Sequence, residues 1–182
     1  MRKFTHQEIV ARQKIRAREP RIPLTVVLDN IRSLHNVGAI FRSGDGVGVE
    51  KIWLCGITGF PPQAQISKIA LGAEERVPWD HCRDVVKVVK KLKKAGYQIV
   101  LLEQTDTSVG YQHFVPEKPI CLVVGNEVEG VSGDLIALAD VAVDIEMGGI
   151  KNSLNVSVAF GIVVYHLRNC INRENVFSGS KK

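Results

Sequence analysis

The sequence predicts an α/β domain built on an open, mostly parallel sheet with helices on both faces. Two patterns carry that prediction: five short apolar runs that are nearly continuous rather than alternating, and segments of helical character between them. Continuous runs suit strands covered on both faces, and strands that alternate with helices return through crossover connections. Length sets the scale. The chain has 182 residues, 45% of them hydrophobic, which suffices for one well-buried domain and is short for two.

The chain opens with Arg2, Lys3, Arg12, Lys14, Arg16, Arg18 and Arg21 against only Glu8 and Glu19. Residues 1–21 therefore read either as a solvated helix or disordered arm, or as a basic arm that contacts RNA. Pro20 and Pro23 mark the boundary. Strands are expected at residues 24–28, 51–55, 98–102, 120–124 and 141–145, and helices at roughly 36–47, 83–95, 132–139 and 153–170. In the second helix Val85, Val88, Val89 and Leu92 make a buried stripe, while Lys87, Lys90, Lys91 and Lys94 repeat the spacing on the opposite, solvated face. Gly96 then supplies a stop. Residues 56–78 show no clean period, and an irregular connection of that length is usually functional or mobile. The resulting division is a basic arm (1–21), a main domain (22–172) and a flexible tail (173–182) that ends in the polar run 178–182.

Several function classes are excluded early. Cys55, Cys82, Cys121 and Cys170 form no C-x-x-C pair and have no His at ligand spacing, so neither zinc nor a disulfide framework is expected, and no metal. The N-terminus lacks a signal-peptide core and no run reaches membrane-spanning length, which predicts a cytoplasmic protein with no membrane partner. A formal charge of +5 and a pI near 9.1 lean toward a polyanionic partner.

Three segments at strand-to-loop junctions carry the chemistry. After the first strand, Asn36 is placed to cap a helix that contains Gly38, with Arg42 about 120° around the axis from it. The second segment runs Val124-Gly125-Asn126-Glu127-Val128-Glu129-Gly130 at the carboxyl end of a buried strand, the usual ligand edge of such sheets. Gly125 there is expected to let a ligand approach the backbone. Neither a P-loop nor the dinucleotide fingerprint G-x-G-x-x-G is present, which argues against a nucleotide-dependent oxidoreductase. In the third, a strand passes through Gly148-Gly149 into a helix that opens with Ser153, Asn155 and Ser157 and continues largely apolar to Leu167. The polar first turn offers hydrogen bonds to a ligand, and the apolar remainder suits the core and a subunit interface.

Together these segments resemble the signature motifs of the SpoU (TrmH-like) family of SPOUT RNA 2′-O-ribose methyltransferases. They read Asn36-x-Gly38-x-x-x-Arg42, Val124-Gly125-Asn126-Glu127-x-x-Gly130 and Ile145-x-Met147-x-Gly149-x-x-x-Ser153-Leu154-Asn155-Val156-Ser157, in the family's order and spacing across residues 24–168. The resemblance implies a carboxyl-terminal deep trefoil knot, S-adenosylmethionine as cofactor and a homodimer. It implies cofactor contacts near Leu102, Glu103, Gly125, Ile145 and Leu154, and a reaction centre of Asn36, Arg42, Glu127, Ser153 and Asn155.

Those residue types fit the chemistry. A ribose hydroxyl is a weak nucleophile that needs a base or stabilisation of developing negative charge. Arg42 carries one of two roles, proton acceptor or cationic stabiliser of the alkoxide, and a guanidinium is a poor base unless strongly perturbed. Glu127 and Asn36 are expected to position Arg42 and the ribose, and Asn155 to hold the loop or substrate. His35 lies outside the motif and reads as a bystander. Residues 24–80 look closest to enzymes that methylate a tRNA guanosine. Ribosomal RNA is the alternative substrate, and a non-catalytic RNA-binding factor is the alternative function.

Overall fold

The computed structural model describes residues 1–17 and 19–178, and the end of the polar tail, residues 179–182, lies outside them. Its centre is a seven-stranded parallel sheet in the order β3-β2-β1-β6-β4-β7-β5. The strands are β1 (Ile22–Asp29), β2 (Val49–Cys55), β3 (Trp79–Cys82), β4 (Gln98–Leu102), β5 (Val109–Gly110), β6 (Ile120–Val124) and β7 (Val141–Asp144). All five predicted strands are present. The two that periodicity missed, β3 and β5, are the edge strands, too short and too exposed to show an apolar run.

Alternate residues of the central strands feed two cores. Leu24, Val26 and Leu28 of β1 face α2 (Leu34–Val47), α3 (Ala64–Ala70), α4 (Ala73–Arg76) and α7 (Val156–Ser178), where Phe41, Ile66 and Phe160 are fully buried. Val27 of β1, with Ile99, Leu101, Cys121 and Val123, faces α5 (Val85–Lys94) and α6 (Gly133–Ile136). Helices thus cover both faces, and this is why the central strands read as unbroken apolar runs. Burial stabilises each large aliphatic side chain by about 1.5–3 kcal/mol, so the two cores fix the sheet edge on which the loops stand.

Several local expectations change. The region 56–78 is not irregular throughout, because it folds into α3 and α4 against α2. Gly38 permits that contact: a Cβ there would lie 2.7 Å from the Ile66 carbonyl oxygen and 2.9 Å from Ile69. α2 starts at Leu34 with Ser33 as its cap, whose hydroxyl accepts from the Asn36 N–H at 3.3 Å. Asn36 is therefore inside the first turn and its side chain is free for other use. α7 starts at Val156, three residues later than predicted, which leaves Ser153 and Leu154 in the preceding loop. It continues to Ser178, into the segment expected to form the tail.

The basic N-terminal segment forms α1 (His6–Arg16), a helix with a reciprocal cap in which Thr5 Oγ1 accepts from Glu8 N–H and Glu8 accepts from Thr5 N–H. None of its residues is buried. Among the described residues no helix is long and apolar enough to cross a membrane.

Candidate active site

The loops after β1, β4, β6 and β7 converge at the carboxyl ends of the strands. A cavity of about 580 Å³ opens among three of them, lined by residues 102–105, 124–131, 144–147 and 152–159 in part. Leu102, Glu103, Gly125, Glu127, Ile145, Ser153, Leu154 and Asn155 all line it. Asn36 and Arg42 do not. Asn36 joins through hydrogen bonds, and Arg42 stands exposed on α2 with no hydrogen bond or ion pair to another described residue.

The junction of the three motifs is a hydrogen-bonded chain. The Glu127 carboxylate accepts from the backbone N–H groups of Arg32 (3.0 Å) and Ser33 (3.1 Å) and from Asn36 Nδ2 (2.9 Å). Asn36 Oδ1 in turn accepts from Asn155 Nδ2 at 3.1 Å. Asn155 Oδ1 caps α7, accepting from Ser157 N–H (2.9 Å) and Ser157 Oγ (2.7 Å). Each amide therefore has its donor and acceptor ends assigned by its partners. Partial burial pushes the Glu127 carboxyl up. The donors from Arg32, Asn36 and Ser33 outweigh that and hold it below the ordinary carboxylate range. Glu127 is therefore ionised at neutral pH.

The second motif is closed by its own backbone. Asn126 N–H donates to the Gly130 carbonyl (2.9 Å) and Gly130 N–H to the Asn126 carbonyl (3.0 Å), which closes a tight loop. A Cβ on Gly125 would collide with the backbone of Gly130 and Val131, and one on Gly130, at φ 71°, with the Glu103 carboxylate. Gly125 thus makes room for the returning loop while it also lines the cavity. Asn126 organises that loop, accepting from Val128 N–H and donating to the Asn30 carbonyl (2.7 Å), which ties the β6 loop to the β1 loop.

Residues that sequence reasoning missed complete the site. Gln104 Nε2 donates to the Asn152 carbonyl (2.8 Å) and ties the third motif to the end of β4. Ile136 and Val128, both exposed, add apolar wall. The available signal for Gln104 was its position just past a predicted strand's carboxyl end. The short helix that holds Ile136 gave none.

The lining has a definite chemical character. It contains the carboxylates of Glu103, Glu127, Glu129 and Asp144, apolar Ile136, Ile145, Met147 and Leu154, and, among the described residues, neither Lys nor Arg. Such a wall is unsuited to phosphates and suits a ligand with cationic and apolar parts. S-adenosylmethionine, a sulfonium with an ammonium group and an aromatic base, has that character.

Comparison with known proteins gives the same direction. Residues 23–165 match the SpoU rRNA Methylase family. The chain belongs to that family. It is a family of S-adenosylmethionine-dependent RNA 2′-O-ribose methyltransferases. Among relatives, the chain is 35% identical over 156 residues to a tRNA (guanosine(18)-2′-O)-methyltransferase of Aquifex aeolicus, covering 85% of this chain and 73% of that protein. It is 32% identical over 171 residues to the 23S rRNA (guanosine-2′-O-)-methyltransferase RlmB of Vibrio parahaemolyticus, covering 88% and 69%. The crystal structure of the A. aeolicus TrmH/SpoU tRNA modifying enzyme superposes with a TM-score of 0.81 at 31% identity, over 94% of this chain and 87% of that one. An AdoMet-bound rRNA methyltransferase from Sinorhizobium meliloti gives 0.74 at 28% identity, over 80% of this chain and 56% of its own.

Proposed function

We propose that this SpoU family member methylates the 2′-hydroxyl of a guanosine ribose in tRNA. The observation that carries the reading is the Glu127–Asn36–Asn155 chain at the edge of a carboxylate-bearing, cation-free cavity, which couples the three family motifs through named hydrogen bonds. Leu102, Glu103, Gly125, Ile145 and Leu154 would hold S-adenosylmethionine, whose bound form supplies the electrophilic methyl group. Ser153, in the loop rather than in α7, is free to turn its hydroxyl toward the substrate.

The chain's own residues then supply position and charge. Glu127 and Asn155 fix the Asn36 amide, and the same network fixes the first turn of α2, the helix that carries Arg42. Arg42 acts as the cationic stabiliser of the attacking oxygen, because a guanidinium is a poor general base and a good donor to developing negative charge. The hydroxyl proton leaves to solvent.

The same reading includes a carboxyl-terminal trefoil knot, which the resemblance to the SPOUT family implies. It includes a homodimer, supported by the exposed apolar side chains Val158 and Tyr165 on α7 and Ile150 before it. It divides the chain into a catalytic unit that begins at residue 22 and includes α7, and an RNA-contacting arm at 1–21. tRNA is favoured because the tRNA relative combines the higher identity with the higher share of its own length. The 23S rRNA relative supports ribosomal RNA as a second reading.

The test is transfer of labelled methyl groups to unmodified tRNA and 23S rRNA, with the site mapped by resistance to alkaline hydrolysis. Protection at a tRNA guanosine is the expected result. Label confined to rRNA moves the assignment to the second reading. Cofactor and RNA binding without transfer to either returns the chain to a non-catalytic RNA-binding factor.

A further inference from the structure

A second cavity, of about 560 Å³, lies between the start of α2 and α3 and is lined by Arg32, Ser33, Leu34, His35, Gln65 and Lys68. It contrasts with the first cavity in charge, since its lining has two permanent cations and no carboxylate. Neither the Arg32 guanidinium nor the Lys68 ammonium makes a hydrogen bond or ion pair to a described residue. Glu127 is the carboxylate tied to this loop, yet it accepts from the backbone N–H groups of Arg32 and Ser33 and from Asn36, which leaves the Arg32 side chain uncompensated.

We propose that this cavity is a phosphodiester site for the RNA strand whose ribose is presented to the Asn36–Glu127 junction. The inference rests on the methyl-transfer reading for its substrate class and adds the residues that seat the strand. Arg32 and Ser33 are common to both places: their N–H groups donate to Glu127, and both residues line the second cavity. Every ribose in a strand is flanked by phosphates, so a strand with one ribose at the junction carries a phosphodiester within one nucleotide of it. Arg32 and Lys68 supply the charge, and Gln65 and His35 supply hydrogen bonds. Contacts of this kind position a strand without reading its sequence.

The experiment measures the salt dependence of RNA binding for the wild-type protein, Lys68→Gln and the double variant Arg32→Gln/Lys68→Gln, using unmodified tRNA transcript. S-adenosylmethionine affinity is measured alongside. Each lost phosphate contact should flatten the slope of log K against log salt by about 0.7–0.9. Raising salt from about 50 to about 200 mM should then weaken the wild type about threefold more than it weakens Lys68→Gln. The RNA KM should rise with kcat and cofactor affinity unchanged. Wild-type slope and KM in both variants, with cofactor affinity preserved, would overturn the site. If the double variant loses cofactor binding, Lys68→Gln alone decides. Inorganic phosphate that competes with RNA in the wild type but not in Lys68→Gln supports the site. Phosphate binding at Lys68 with an unchanged RNA slope overturns the assignment to RNA. A flattened slope in a protein that transfers no methyl group would leave this site standing and remove the methyl-transfer reading instead.

Discussion

Two parts of the carboxyl-edge site are built on opposite plans. At the junction of Asn36, Glu127 and Asn155 each carboxylate or amide group has an assigned hydrogen-bond partner, and the carboxylate is held ionised by three donors. At Arg42, and again at Arg32 and Lys68, the side-chain cations have no partner among the described residues. The first arrangement is a framework that is complete before substrate arrives. The second is a set of solvated charges open to a partner from outside. The difference teaches which property each residue should control: the framework couples activity to local stability, whereas the unpartnered cations should affect chemistry or binding alone.

The largest effect that would break this contrast is at Arg42. Arg42→Ala should lower the methyl-transfer rate by about 10²–10³-fold, the loss typical of removing one group that stabilises developing charge. Cofactor affinity and melting temperature should stay at wild-type values. Unchanged turnover would take Arg42 out of the mechanism, and a lower melting temperature would show that it belongs to the framework. Glu127→Ala should instead affect both readouts. It removes the acceptor of the Arg32, Ser33 and Asn36 donors, of which the two exposed backbone N–H groups regain water, and should cost about 0.5–1.5 kcal/mol of stability in addition to activity. Because the carboxyl pKa lies below its ordinary value in the folded chain, the stabilisation from its ionised form is present above the unfolded-state carboxylate pKa. It is lost as pH falls through the depressed folded value. The stability gap between wild type and Glu127→Gln should therefore narrow on acidification, and a gap independent of pH would count against the ionised role.

A smaller effect sharpens the framework side. Asn36 and Asn155 share one hydrogen bond, so a double-mutant cycle with Asn36→Ala and Asn155→Ala should give a coupling of about 0.5–1.5 kcal/mol. A coupling near zero in thermal unfolding would mean that α2 and α7 are held by apolar packing alone, and that the amide bridge is incidental.

How much of this was legible beforehand follows from which forces act locally. The central strands were readable because burial on both faces leaves continuous apolar runs, as in residues 120–124. β3 and β5 were not, since a four-residue and a two-residue edge strand owe their existence to pairing with β2 and β7. The start of α2 was misplaced because Asn36 and Ser33 are both good caps. The choice between them is made by Glu127, 91 residues away from Asn36 in the chain. The motif residues around the cavity could be named, but motif spacing did not reveal that Gly125 serves the loop's own closure or that Arg42 stands apart from the lining. Such facts depend on where loops from different strands meet. The basic cavity was invisible for the same reason: Arg32 and Lys68 belong to segments that neither periodicity nor motif joins.

The smallest effect concerns α1, which extends the contrast to a helix that buries none of its residues. Its cap is local, and the Arg2 side chain donates to the Glu8 carboxylate at 2.9 and 2.6 Å while Thr5 N–H donates at 2.7 Å. Arg2 first, and then the Thr5 backbone, hold the Glu8 carboxyl down at about 2. The cap is therefore fully present above the unfolded carboxylate pKa and is lost only as pH falls through about 2. Thr5→Ala should weaken the helix by about 1 kcal/mol, seen as faster amide exchange in residues 6–16. Because α1 buries none of its residues, the melting temperature of the domain should not move. A melting shift of several degrees would mean that α1 packs on the domain after all, and its basic face would then be part of the folded surface rather than a separate arm.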